Sequence, residues 1–129
     1  MEYIALTGIA DSVIEVLKKH ELRTLEIRNP QNFFGVLGLN AGDNVLLTST
    51  SLQDLADGTS GIIAKVVQKQ ISVHSFVSSN DFYIEEREAL SARIQLECRH
   101  MARVRSVISD EIGKPVRVDA RDISCYEAR

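Results

Sequence analysis

Sixteen consecutive residues, Ile62 to Val77, read as β-strand. The run is entered through the turn Gly58-Thr59-Ser60-Gly61 and is expected to bend near Gln68-Lys69-Gln70. A strand of that length presents a row of amides and carbonyls along each edge, and each row needs a partner or water. The rest of the chain must supply neighbouring strands. Glu2 to Ile9 carries apolar Tyr3, Ile4, Leu6 and Ile9, with Gly8 marking its end. In Leu22 to Arg28, Leu25 and Ile27 point to one face and Thr24, Glu26 and Arg28 to the other. Val45-Leu46-Leu47 is apolar at successive positions, so this strand is expected to be buried on both faces. Ile94, Leu96 and Cys98 alternate with Arg93, Gln95, Glu97 and Arg99. Ala102, Val104 and Ser106 alternate with Arg103, Arg105 and Val107 in another strand. After the Gly113-Lys114-Pro115 turn, Val116 to Ala120 forms the last one.

Helical signals lie between the strands. Ser12 and Glu15 match an S-x-x-E capping box ahead of the stripe Val13, Ile14 and Leu17. Lys18, Lys19 and His20 fall in the last turn, where the helix dipole favours positive charge. Asn29-Pro30 stops the preceding strand, and Pro30 to Leu39 is a short helix or turn that inserts Phe33, Phe34, Val36 and Leu37. Ser51 and Asp54 are spaced to cap one short helical turn. Ser78 to Asp81 reads as a polar loop, and a helix is expected over Phe82 to Ser91. A helix running from Phe82 through Glu97 is the competing reading. The sum is five to seven strands with two or three helices, in mixed rather than alternating order. No repeat or linker divides the chain. The expected fold is a single α+β domain over residues 1–129: a small, mixed, mostly antiparallel β-barrel, partly open, with two or three flanking helices.

Composition narrows the functional classes. At 129 residues, 44% apolar and 26% charged, the chain can fold without a metal or a disulfide. No apolar run is long enough to cross a bilayer, and the N-terminus lacks the pattern of a secretory signal, so a cytosolic location without membrane association is expected. Cys98 and Cys125 are too few for a disulfide framework and are expected to be reduced. Phosphate-binding glycine loops, nucleophile elbows and helical zinc motifs are all missing. Cys98-x-His100 with Cys125 is not the usual spacing of a zinc site, so no metal or cofactor is expected.

The net charge of −3 is unevenly spread: residues 1–64 sum to −4 and residues 65–129 to +1. Residues 93–121 hold seven basic side chains against four acidic ones. Arg93, Arg99, Arg103 and Arg105 are expected on two adjacent strands, forming one patch for a few phosphates. Thr24, Glu26 and Arg28 line one strand face over roughly 13 Å. A hydroxyl, a carboxylate and a guanidinium in a row can read a base edge or hold its phosphate. The plainer reading is a wet face on which Glu26 pairs with Arg28. The hydroxyl run Thr48-Ser49-Thr50-Ser51 offers donors to the same end of the fold, or simply caps a turn.

The ordered set Arg23-Thr24, Glu26-x-Arg28, Gly42-Asp43-Asn44-Val45 and Gly61-Ile62-Ile63-Ala64-Lys65-Val66 resembles the ASCH-type branch of the PUA-like superfamily. The likeness covers roughly residues 1–77. The whole chain is also similar to a group of conserved archaeal proteins of unknown function, known mainly from methanogens. The superfamily likeness implies a barrel with a pocket beside the second strand, to which Arg23, Thr24, Glu26 and Arg28 would contribute. ASCH-type amidohydrolases, which remove an acyl group from a modified cytidine, use a lysine, a threonine and a glutamate. Here Arg23 stands at the lysine position, and a guanidinium does not deprotonate. The expectation is therefore a domain that binds RNA or a nucleotide-like ligand without catalysis. Two alternatives stay open: a hydrolase of an acylated or modified nucleoside centred on Thr24, and a protein-interaction module with no small ligand.

Overall fold

A computed structural model describes residues 1–19, 22–79 and 84–123, with the backbone alone over 73–79 and 84–90. The elements run β1 (Glu2–Leu6), α1 (Asp11–Lys18), β2 (Arg23–Ile27), α2 (Pro30–Leu37), β3 (Asn44–Leu47), a 3₁₀ turn at Leu52–Asp54, β4 (Ser60–Ser79), β5 (Ile84–Ser109) and β6 (Val116–Ile123). The fold is mixed α+β: among the described residues, six strands form one sheet in the order β2-β5-β4-β3-β1-β6, with two α-helices. Neighbours are antiparallel except β1 and β3, which run parallel, Ile4 beside Val45 and Leu6 beside Leu47. β5 also pairs with β6, so the ladder returns to a strand it has already used.

Two apolar clusters follow from this arrangement. One lies between the sheet and the helices and holds Leu6, Leu17, Leu25, Ile27, Phe33, Val36, Val45, Leu47, Ile94 and Leu96 among others. The other lies on the opposite face and holds Tyr3, Ala5, Leu46, Ile63, Ala102, Val104, Val116, Val118 and Ala120. β3 serves both, as its uninterrupted apolar sequence requires: Val45, Leu46 and Leu47 are all 0% exposed.

β5 also serves both, by a different device. Cys98 sits opposite Ala64 and His100 opposite Ile63, which leaves Arg99 as an extra residue at a bulge. The extra residue reverses the phase of the pleat. Ile94, Leu96 and Cys98 face the helices, whereas Ala102 and Val104, at the same parity, face the other cluster. The two strands expected over 93–99 and 102–107 are therefore one strand.

The helix expected over Phe82 to Ser91 does not form, and neither does the longer one through Glu97. Ile84–Ser91 is strand, paired residue by residue with Ser72–Ser79, from Ser72 opposite Ser91 to Ser79 opposite Ile84. A ready partner in the long β4 run outweighs the helix-compatible composition of the segment. Ser78 and Ser79, expected in a loop, belong to β4. Asn80, Asp81, Phe82 and Tyr83 lie outside the described residues, as does His20, expected at the end of the first helix. The bend expected near Gln68 is a register irregularity between Val66 and Gln68.

Helix ends differ in how they are capped. The capping box does not form. α1 starts at Asp11 with Ala10 at its N-cap and no side-chain cap, so Ser12 lies inside the first turn. Glu15 instead takes Lys18 Nζ at 3.2 Å. α2 is capped by Asn29, whose Oδ1 accepts from the amides of Gln31 (2.9 Å) and Asn32 (3.2 Å), with Pro30 at the first helical position. Phe33 and Val36 are buried, but Phe34 and Leu37, expected to insert, are exposed. Lys69 closes the other end of α2, its Nζ donating to the carbonyls of Val36 (3.2 Å) and Leu37 (3.3 Å).

Candidate functional site

β2 lies at one end of the sheet order and its hydrogen-bonded neighbour is β5. Leu25 and Ile27 anchor it into the helix-covered cluster, and Thr24, Glu26 and Arg28 are exposed on its outer side. A groove of about 370 Å³ runs along β2, with residues 23–29 on one wall and Gly8, Ile9, Ala10, Val13 and Asn32 on the other.

The second wall is held by backbone chemistry. Asn32 is buried, and its amide clamps Thr7 from both sides: Nδ2 donates to Thr7 O (2.8 Å), and Thr7 N donates to Oδ1 (3.0 Å). Gly8 adopts φ +65°, which a glycine reaches without strain. The amides of Gly8 and Ile9 donate to Thr50 O (2.9 Å) and Thr48 O (3.0 Å).

The hydroxyl run therefore supports the groove without lining it. Thr48 is 0% exposed; its Oγ1 donates to Ser60 O (2.9 Å) and accepts from Thr50 N (3.2 Å). Ser51 stands before the 3₁₀ turn as expected, but its hydroxyl donates to Asp54 Oδ2 (3.0 Å) and not to a ligand site. Ser49 and Thr50 line neither this groove nor the one described next.

Glu26 and Arg28 pair as the plainer reading expected. Arg28 places Nη2 at 2.9 Å and Nε at 3.0 Å from Glu26 Oε1. Both are open to water, with 76% of the Arg28 side chain exposed, so the pair adds little to stability. The pair sets one guanidinium and one carboxylate side by side on the groove wall. Arg23 joins the same wall.

Across the sheet, Thr24 stands opposite Gln95 and Glu26 opposite Arg93. Gln95 in turn faces Gln68, and Arg93 faces Gln70. These side chains form a second groove of about 410 Å³ lined by Thr24, Gln68, Lys69, Gln70, Arg93 and Gln95, with Thr24 common to both. Gln68, Gln70 and Gln95 were missed as candidates. Their signal in the sequence is the spacing of two between Gln68 and Gln70, and between Arg93 and Gln95, which puts each pair on one strand face.

The single basic patch does not form. Arg93, Arg99, Arg103 and Arg105 all lie on β5. Arg93 and Arg103 are ten residues apart, roughly 33 Å along a strand. Arg93 joins the outer face beside Glu26, Arg99 is the bulge residue, Arg103 sits opposite Arg121, and Arg105 Nε is 3.9 Å from Asp119 Oδ2.

The bulge also separates Cys98 from His100. Cys98 faces the helix-covered cluster, and burial pushes its thiol above the usual value, with Lys18 pulling weakly the other way. His100 Nε2 comes within 2.6 Å of Asp122 Oδ1, without the alignment of a hydrogen bond. Cys125 is outside the described residues. Among the described residues, no three His, Cys, Asp or Glu side chains converge as a metal site would require, and no helix is long and apolar enough to cross a membrane.

The chain is similar to known proteins over most of its length. A model of the family described as "Protein of unknown function (DUF473)" matches residues 1–118. An uncharacterized protein of Methanocaldococcus jannaschii is 34% identical over 97 residues, 75% of this chain and 60% of that relative's own length. No solved structure matches. The family match spans most of the chain, through β1 to the first half of β6, and the chain belongs to the DUF473 family.

Proposed function

We propose that this chain is a small PUA-like β-barrel domain that binds RNA or a nucleotide-like ligand, without catalysis, in the groove along β2. The observation that carries the reading is the groove itself. It brings Arg23, Thr24, Glu26 and Arg28 to one concave surface beside a wall of Gly8, Ile9, Ala10, Val13 and Asn32. A carboxylate and a hydroxyl can take the donor and acceptor edge of a base, and the guanidinium groups can take a phosphate. Return of the strand ladder to β5 supports the barrel. A non-catalytic role is supported by Arg23 at the position where a deprotonable lysine would be needed. It is also supported by the ties of Glu26: its Oε1 is occupied by Arg28, and among the described residues no hydrogen bond joins it to Thr24. A cytosolic location fits such a partner.

Filter-binding titration against total archaeal RNA at rising salt tests the proposal. The wild-type chain is expected to bind. Arg28→Ala is expected to weaken binding and to reduce the salt slope by about 0.7 for each phosphate that the guanidinium neutralises. Arg103→Ala, whose residue lies about 33 Å along β5 from the groove residue Arg93 by strand rise, is expected to bind like wild type. Undetectable affinity, or affinity indifferent to Arg28→Ala, overturns the reading. Turnover of a modified nucleoside that is lost in Thr24→Ala would favour the hydrolase instead.

A further inference from the structure

We infer that the ligand is at least two linked nucleotides, lying across β2 and β5 so that each of the two grooves takes one. This rests on the nucleotide reading above and extends it to a second subsite, formed by Gln68, Gln70, Arg93 and Gln95. Cross-strand neighbours share a sheet face, so the register sets two rows side by side: Thr24, Gln95 and Gln68, then Glu26, Arg93 and Gln70. With strands about 4.8 Å apart, each row spans roughly 10 Å. Every side chain in both rows can hydrogen-bond, and the three glutamines each carry a donor and an acceptor on one planar group, which suits the edge of a base.

The surface is concave for a structural reason. The register irregularity between Val66 and Gln68 falls where β4 enters this face, and bulges sharpen strand twist and bend the sheet. Lys69 does not point its charge at a ligand, because its ammonium is bound to the α2 carbonyls.

Charge favours an anionic ligand across both grooves. The two grooves together hold Arg23, Arg28 and Arg93 against Glu26, a local positive excess in a chain whose net charge is −3. Arg93 stands in the middle of its row, between Glu26 and Gln70, where a phosphodiester would cross from one groove to the other. Thr24 lines both grooves, so the two adjoin at that residue.

Isothermal titration with 5′-mononucleotides and with 5′-phosphorylated dinucleotides and tetranucleotides of the same bases decides the matter. The best dinucleotide is expected to bind about tenfold or more tightly than the best mononucleotide, as linkage of two subsites predicts. The tetranucleotide is expected to add much less. The double variant Gln68→Ala, Gln95→Ala, at one exposed and one half-buried position, is expected to abolish the gain while mononucleotide affinity stays within about twofold, and its melting temperature shows that it remains folded. Arg28→Ala weakens both ligands. A dinucleotide that binds no tighter than the mononucleotide, or a gain that survives the double variant, overturns the second subsite and leaves the first groove as a nucleotide site. Failure of every nucleotide to bind overturns both.

Discussion

β3 and β2 are short strands of four and five residues, and they are used in opposite ways. β3 lies inside the sheet, between β4 and β1, and each of its apolar side chains is fully enclosed, Val45 and Leu47 in one cluster and Leu46 in the other. β2 lies at the end of the sheet order. It buries Leu25 and Ile27 and turns Thr24, Glu26 and Arg28 outward. Packing dictates every residue of β3 after Asn44. It dictates only Leu25 and Ile27 of β2, and the chemistry of the other residues is available to a ligand.

The largest expected effect tests the enclosed side of this contrast. Leu47→Ala removes a side chain that is 0% exposed and should cost about 2–5 kcal/mol, with Leu46→Ala in the same range although it empties the other cluster. Thr24→Ala should change stability by no more than about 0.5 kcal/mol. Urea unfolding measures all three, and a Thr24 effect as large as that of Leu47 would break the contrast. Gly61→Ala comes next. A Cβ there would lie 2.6 Å from Leu47 O, a backbone atom that cannot swing aside. Forcing β3 and β4 apart should cost about 1–3 kcal/mol, read in the same unfolding experiment.

What the sequence reveals about these strands depends on how local the determining contacts are. The alternation in β2 and the apolar run in β3 are visible because each is a pattern of neighbouring residues. β5 is not visible in this way. Its even-numbered apolar residues keep one parity from Ile94 to Val104, yet they change faces at Arg99, and only the register against Ile63 and Ala64 shows it. The segment Glu85 to Leu90 is compatible with helix taken alone; its pairing with β4 decides otherwise. The site divides along the same line. Its β2 wall follows from spacing, whereas Gln68 meets Thr24 only through Gln95, and the Gly8–Ala10 wall depends on the clamp between Asn32 and Thr7.

A smaller effect tests how tightly the helix layer seals its cluster. In a Cys125→Ser background, Cys98 should react with a disulfide reagent far more slowly in the native chain than in urea, because its thiol is buried and burial holds it in the neutral form. The sign for stability follows. A thiol whose folded value is raised gives its full contribution below its ordinary value of 9.0 and loses it as pH climbs through the higher folded value. Stability above about pH 9 should therefore fall less in Cys98→Val than in Cys98 itself. Fast native labelling would show that α1 opens readily over β5.

The smallest expected effect bears on the open side of the contrast. Glu26 and Arg28 are joined by two short contacts, yet 38% and 76% of their side chains are exposed, and water screens such a pair. A double-mutant cycle with Glu26→Gln and Arg28→Ala should give a coupling below about 0.5 kcal/mol at low salt, fading as salt is raised. Stability would then be nearly blind to Glu26 and Arg28, while the same substitutions in a nucleotide titration would not be. A coupling above about 1 kcal/mol that persists in high salt would mean that the outer face of β2 is held for the fold, as β3 is. The case for reading that face as a binding surface would then lose its physical basis.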